Sequence, residues 1–247
     1  MFKEFHHQAR GRGHLRDGTP VQDRTMYLSR GGTQVICLAD GAGSASHSGF
    51  GAQVVVDEGC KIFVEKMSDF ADDNDGAQVK AEIISRLISR LETLATKLDC
   101  DLKDLASTFL CVAVHDNMFF GAHVGDGVIG ILQNGESRVL SAPDNSEFAN
   151  QTTFVTSSGA INSMRLFRGA LDGVEGFILM SDGAGDSLFN SRTRELAGAC
   201  AKLIKAVGEA PARQSKSSEY KKRLRKLLDI PIRNATKDDC SIGILGR

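Results

Sequence analysis

The chain has 247 residues, 41% apolar and 25% charged, and its 30 basic and 31 acidic residues leave a net charge of -1. A chain of this length buries about three quarters of its unfolded surface and needs no disulfide or metal to hold it together; the composition is that of a globular protein. The near-zero charge excludes a general polyanion binder, so nucleic acid is not an expected partner.

The first 24 residues are polar and Gly-rich, without periodicity, and contain no apolar segment of signal-peptide length. "MYLSRGGTQVICLAD" reads as a hairpin turning at Arg30-Gly31-Gly32 and ending at Asp40. In "FGAQVVVDEGCKIFVEKM", Val54, Val55, Ile62, Phe63 and Met67 keep helical spacing. "DFADDNDG" reads as an acidic turn. In "AQVKAEIISRLISRLETLATKLD", Val79, Ile83, Ile84, Leu87, Ile88, Leu91, Leu94 and Leu98 form one apolar stripe of a second helix.

"STFLCVAVHDNMFFGAHVGDGVIGILQNGESRVLS" then reads as four strands joined by turns at His115-Asp116-Asn117, Gly125-Asp126-Gly127 and Asn134-Gly135, a run of antiparallel hairpins. "NQTTFVTSSGAINSMRLFRGALDGVEGFILMSDG" continues with shorter strands. "TRELAGACAKLIKAVG" and "SSEYKKRLRKLLDI" are expected to be helices, with "EAPARQSKSS" a loop between them and "DDCSIGILGR" a closing strand. Helices come in pairs and do not alternate with strands, which favours an antiparallel, layered α+β fold over a doubly wound parallel sheet. No Pro/Ser linker divides the chain, so one domain over residues 1–247 is expected.

Six cysteines (Cys37, Cys60, Cys100, Cys111, Cys200 and Cys240) include no C-x-x-C pair. They read as small buried hydrophobes, as suits a reducing compartment. No apolar run approaches the roughly 20 residues of a membrane span. A cytoplasmic protein without membrane contact is expected. "GAGSAS" lacks the third glycine and the βαβ context of a nucleotide loop. "KKRLRKLL" reads as an amphipathic helix, with Leu224, Leu227 and Leu228 inward and a solvated basic face. "ADDNDG" lacks the later Glu of a calcium loop.

The strongest pattern is where acids stand. Asp23 precedes the first hairpin; Asp40, Asp126 and Asp182 end or link apolar runs; Asp238 and Asp239 open the last strand. Carboxylates just outside buried strands are costly unless paired or bound to a cation. Mg²⁺ or Mn²⁺ prefers such oxygen ligands. Asp-Gly is also the commonest hairpin turn, so each copy alone reads more readily as a turn than as a ligand. The ordered set points to a cation.

That set runs "VQDR", "ADGAGSAS", a helical pair, "ASTFLCVAV", "HVGDG", "LMSDGAGDSL", "KDDCSIGIL". It resembles the metal-dependent serine/threonine phosphatases of the protein phosphatase 2C family from about Gly13 to Leu245, and "RGHLRDGTPVQDR" resembles its small, stand-alone bacterial members. The resemblance implies two packed antiparallel β-sheets flanked by helix pairs, a four-layer αββα sandwich, with Mg²⁺ or Mn²⁺ at one end. Asp40 would bridge two ions and the Gly41 carbonyl would bind the second. Asp182 and Asp238, not Asp239, would hold the first; Asp126 with Asp182 would hold a third, weaker ion; Asp23 would act from the outer coordination sphere through water. Water shared by two ions would become hydroxide and attack phosphorus in line, without a phosphoenzyme. The implied partners are phosphorylated proteins, substrates of a Ser/Thr kinase, and a monomer is expected.

Three positions depart from the family pattern. Ala42 stands where better-known members have a His that is a candidate general acid; His14 or His47 could supply a proton instead, although a solvated surface histidine is the simpler reading of each. Gln22 replaces a Glu. The phosphate-binding Arg has no clear match, with Arg12 and Arg16 nearest. These departures leave two rivals: a non-catalytic binding module on this fold, and a phosphatase of small phosphorylated metabolites.

Overall fold

The computed structural model describes residues 1–143, 152–211 and 218–247. The chain runs β1 (Lys3–Ala9), α1 (Arg12–Asp17), β2 (Arg24–Arg30), β3 (Thr33–Ala39), α2 (Ser48–Asp72), α3 (Gly76–Leu98), β4 (Phe109–His115), β5 (Met118–Val124), β6 (Val128–Gln133) and β7 (Glu136–Ser141). It continues through α4 (Ala160–Ser163), β8 (Arg165–Ala170), β9 (Val174–Met180), α5 (Asp182–Leu188), β10 (Phe189–Asn190), β11 (Glu195–Leu196), α6 (Gly198–Gly208), α7 (Glu219–Leu227), α8 (Arg233–Ala235) and β12 (Cys240–Gly246). Two five-stranded sheets, β1-β12-β9-β6-β7 and β2-β3-β4-β5-β8, are antiparallel throughout.

Strand periodicity builds the layers. Side chains alternate across a strand with period two. In β3, Val35, Cys37 and Ala39 join the cluster under α2 and α3, while Ile36 and Leu38 face the other sheet. β4 repeats this, with Phe109, Cys111 and Ala113 toward the helices and Leu110, Val112 and Val114 toward the other sheet. In the second sheet Ile178 and Met180 of β9 pack under α6 and α7, while Phe177 and Leu179 meet Ile36 and Leu38 between the sheets. Three apolar layers therefore separate four structural ones, so the layered α+β sandwich holds. Strands buried on both faces read as continuous apolar runs.

The helices follow their stripes. Val79, Ile83, Ile84, Leu87 and Leu91 of α3 are buried, each such side chain contributing about 1.5–3 kcal/mol. The α2 helix continues to Asp72, so the first half of the expected acidic turn is helical. The turn itself supplies a cap: the Asp75 side chain accepts from the Ala77 and Gln78 N–H groups at 3.1 Å.

Four expectations change. The N-terminal region forms β1 and α1, where no element was expected. Only Phe5 and Ala9 of β1 are buried, because it is an edge strand paired on one side with β12. Gly125-Asp126-Gly127 is no hairpin: β5 belongs to one sheet and β6 to the other, so this link crosses the sandwich. The first C-terminal helix starts at Gly198, since Glu195–Leu196 pairs with Phe189–Asn190. In α7, Leu224 and neighbouring Leu228 are buried but Leu227 is 52% exposed; Leu224 and Leu228 are four apart on one face and Leu227 falls beside it. The start of "NQTTFV" and most of the loop expected over "EAPARQSKSS" lie outside the described residues. No helix of the described residues is long and apolar enough to cross a membrane.

Candidate active site

Antiparallel register gathers the acids. Arg24 pairs with Ala39, which makes Asp23, entering β2, a neighbour of Asp40, leaving β3. Met180 faces Val128 on one side and Ile242 on the other, so Asp126 stands level with Asp182, and Asp238 lies two residues before the β12 position, Cys240, that is level with them. Strands running in opposite directions thus bring starts and ends to one rim.

The loop after β3 is knitted to the lead into β4. The Asp40 N–H donates to Thr108 Oγ1 at 2.9 Å, and the Thr108 N–H donates back to the Asp40 carbonyl at 2.8 Å. Gly41 forms a bridge with Ser107, and the Ala42 N–H donates to the Ala106 carbonyl at 3.0 Å. Gly41 tolerates no larger residue: an added Cβ would lie 2.9 Å from Ser48 and 3.0 Å from the Gln22 carbonyl oxygen. Asp182 instead opens α5, with its Oδ1 accepting the Gly183 N–H at 2.5 Å.

These acids feel one another. Asp23 is fully buried, and neither of its oxygens has a hydrogen-bond partner among the described residues. Burial pushes its carboxyl up to about 6, with the neighbouring Asp40 carboxyl and the Ser241 and Ser181 hydroxyls opposing and the charge of Asp239 adding. Asp40 is pushed well above the usual carboxylate range by burial and then by the charges of Asp23 and Asp182. Asp182 rises to about 7, first through burial, with the charges of Asp126, Asp238 and Asp23 adding to it.

Carboxyls so placed must take up protons or a cation near neutral pH. Among the described residues no three His, Cys, Asp or Glu side chains are already set in ligand geometry, although Asp40 feels the charges of both Asp23 and Asp182. The donors are hard oxygens, and two of them, on Asp23, are buried and unbonded. That set fits Mg²⁺ or Mn²⁺ and offers no soft ligand. Cys240, the nearby cysteine, keeps its thiol proton: burial, then the surrounding acids, push it up to about 12.

The remaining expected residues fall in different places. Asp126 is half-buried, accepts the Thr152 hydroxyl at 2.5 Å, and lines a half-open cavity of about 230 Å³ with Asp182. Asp238 is exposed, and its Oδ1 accepts the Asp239 N–H at 2.8 Å. Arg12 donates from Nε to the Thr236 carbonyl at 3.2 Å, beside the Asp238 turn. Arg16 points outward and pairs with Asp17 at 2.9 Å. Ala42 packs with Ala45, Ala106 and Phe154, an apolar setting that accounts for an apolar residue there. His47 stays local, with Nδ1 at 2.9 Å from Ser46 Oγ.

His14 is no free surface side chain: its Nδ1 lies 2.9 Å from Asp239 Oδ1, and Asp239 is buried. Sequence reasoning set Asp239 aside and gave Thr108, Ser181 and Ser241 no role. Part of the signal was present, as a hydroxyl residue close to the acids in "MSDG" and "DDCSIG"; Thr108 in "STF" carries no neighbouring acid in sequence and meets Asp40 only in the fold.

Comparison with known proteins agrees with the fold. A bacterial serine phosphatase crystal structure superposes with a TM-score of 0.68 at 14% identity, over 100% of this chain and 98% of that one. The serine/threonine phosphatase Stp1 from Staphylococcus aureus gives 0.66 at 14% identity, over 100% and 95%. Serine/threonine-protein phosphatase 3 of Escherichia coli strain K12 is 25% identical over 132 residues, 53% of this chain, and the chain spans about half (52%) of that relative's length. The family model described as protein phosphatase 2C matches residues 10–229, and the chain belongs to that family.

Proposed function

We propose that the chain is a Mg²⁺- or Mn²⁺-dependent phosphatase of phosphoserine and phosphothreonine in proteins. It is one domain over residues 1–247, a cytoplasmic monomer acting on the products of a Ser/Thr kinase. The observation carrying this reading is the convergence of Asp23, Asp40, Asp126, Asp182 and Asp238 on one rim, with the Asp23 oxygens buried and unbonded. Family membership and the named relatives support the reaction class.

Asp40, Asp182, Asp238 and the Gly41 carbonyl would hold two ions, Asp126 with Asp182 a third, and Asp23 would act behind them. Bound ions of this kind lower the pKa of water and neutralise phosphoryl oxygens. The chain's own groups do the rest. Thr108 fixes the Asp40 main chain from both directions. The Gly183 N–H orients the Asp182 carboxylate. Arg12, whose Nε donates to the Thr236 carbonyl, would meet phosphate oxygens with charge-assisted hydrogen bonds. The half-open cavity beside Asp126 and Asp182 would receive a phosphorylated side chain still attached to a protein.

The test is hydrolysis of a phosphothreonine peptide with Mn²⁺ and with EDTA. Activity is expected only with the metal, and only with Asp40 intact. Equal hydrolysis in EDTA, or full activity in Asp40→Asn, overturns the reading.

A further inference from the structure

Asp239 is next to a proposed ligand, yet it turns the other way. Its side chain is 1% exposed. Oδ1 accepts the Gly11 N–H at 2.7 Å and lies 2.9 Å from His14 Nδ1; Oδ2 accepts the Gln22 N–H at 2.7 Å. All three donors belong to the segment 11–22, which leads directly into Asp23. The same segment is held again by the Gly13 N–H, which donates to the Lys237 carbonyl at 2.9 Å. Residues 237 and 239 thus grip the N-terminal segment on either side of Asp238. The fit is close: a Cβ on Gly11 would lie 2.4 Å from the Asp238 carbonyl carbon and oxygen.

We propose that Asp239, with His14, is a positioning device for the metal centre: a buried carboxylate that sets Asp23 and Asp238 in register. This rests on the metal-centre reading above. A carboxylate is suited to the task because it only accepts. Its two oxygens gather three N–H donors from one segment, and no rotamer of an amide can do the same. Ring orientation follows too. With Nδ1 donating to Asp239, His14 is held in one tautomer and buttresses the seam from its partly exposed side (side-chain exposure 20%). Asp238 and Asp239 are therefore adjacent acids with different tasks, one facing the ions and one facing the chain that carries Asp23.

Two substitutions test this, with Mn²⁺ binding measured by titration calorimetry on protein shown folded by circular dichroism. Asp239→Asn turns an amide donor toward at least one backbone N–H. Mn²⁺ affinity is expected to fall by about 10–100-fold, the range for partners that orient metal ligands, while kcat on a phosphothreonine peptide recovers at saturating Mn²⁺ because every ligand remains. A residue important only for folding lowers thermal stability and leaves the affinity of the folded fraction unchanged. Affinity within twofold of the parent therefore overturns the proposal. His14→Ala removes one of the three contacts and serves if Asp239→Asn does not fold; a several-fold loss, on the order of the lower end of that range, is expected, and none overturns it. Parent protein that binds no Mn²⁺ defeats the metal-centre reading itself, and this proposal with it. Parent binding with unchanged variant binding defeats this proposal alone.

Discussion

The chain contains Asp-Gly-Ala-Gly twice, and the two copies adopt different backbones. After β3, Asp40-Gly41-Ala42-Gly43 runs as an extended loop zipped to Ala106, Ser107 and Thr108, and a helix begins only at Ser48. After β9, Asp182-Gly183-Ala184-Gly185 is itself the start of a helix. Four identical residues carry no preference strong enough to decide. At the first site the lead into β4 lies alongside and offers backbone partners. At the second the Gly185 N–H closes on the Ser181 carbonyl at 2.8 Å, and the N-terminal end of the turn lies at the acid, where negative charge is favoured. Asp40 is thus fixed by tertiary contacts, Asp182 by its own helix.

The largest expected difference between the copies is catalytic. Asp40 feels the charges of both Asp23 and Asp182, so Asp40→Asn removes the acid central to the group. A loss of at least about 10³-fold in Mn²⁺-dependent kcat is expected, comparable with removing a main source of electrostatic stabilisation. Asp182→Asn keeps Asp40 in place and should lose less. Steady-state assays with a phosphothreonine peptide compare the two, and a larger loss in Asp182→Asn would reverse the order of importance.

The acids also predict how the protein answers metal. Mn²⁺ at about 100 times its Kd adds about 2.7 kcal/mol to stability, which for a chain this size raises Tm by roughly 5–10 °C. Asp40→Asn should remove most of that rise and also raise the Tm measured in EDTA, since one of several crowded buried carboxylates is gone. Thermal melts with and without Mn²⁺ read both effects. An Asp40→Asn variant less stable than the parent in EDTA would show that crowding is not what strains the group.

A smaller effect isolates the knitting around the first copy. Thr108→Val keeps the shape of the side chain and removes the acceptor for the Asp40 N–H. Leaving that donor unpaired costs about 1–3 kcal/mol, with kcat reduced alongside because Asp40 loses its fixed backbone. Denaturant melts and peptide assays on one preparation check the two together. Unchanged stability would mean that the backbone bonds of Asp40, Gly41 and Ala42 hold the loop without the hydroxyl.

How much of this was legible beforehand depended on the residue. Asp40 and Asp182 stood out because each ends a run of apolar residues, and a charge at that point is conspicuous. The strands β3, β4 and β9 were legible for the same reason, being buried on both faces. Register was not. Which sheet β6 joins depends on long-range pairing, so the Asp126 link looked like a hairpin although it crosses the sandwich. β1 was hidden because "KEFHHQA" buries only Phe5 and Ala9, too few apolar positions to show a period. Asp239 was hidden by its neighbour: two adjacent acids are indistinguishable in sequence, and only the folded N-terminal segment shows that one is already bonded three times.

A buried titratable group away from the rim gives the last and smallest contrast. His123 of β5 is fully buried, with Nδ1 at 2.8 Å from Ser141 Oγ. Burial, reinforced by the charge of Arg165, holds its pKa well below the usual histidine range. Its sign is opposite to that of the acids. The folded protein keeps this imidazole neutral, whereas the unfolded chain takes up a proton below its ordinary pKa of about 6.5. Between that value and the lower folded one the unfolded state binds more protons, so His123 lowers stability as the pH falls, by at most about 1.4 kcal/mol per pH unit. Above about pH 7 it contributes no slope. His123→Gln removes the titration while keeping a polar side chain. Its stability relative to the parent should therefore improve steadily as the pH is lowered from 7 to 5, in denaturant melts run with the metal conditions held constant. A difference between parent and variant that does not change with pH would mean that the ring is protonated in the fold, and that Arg165 does not repel it.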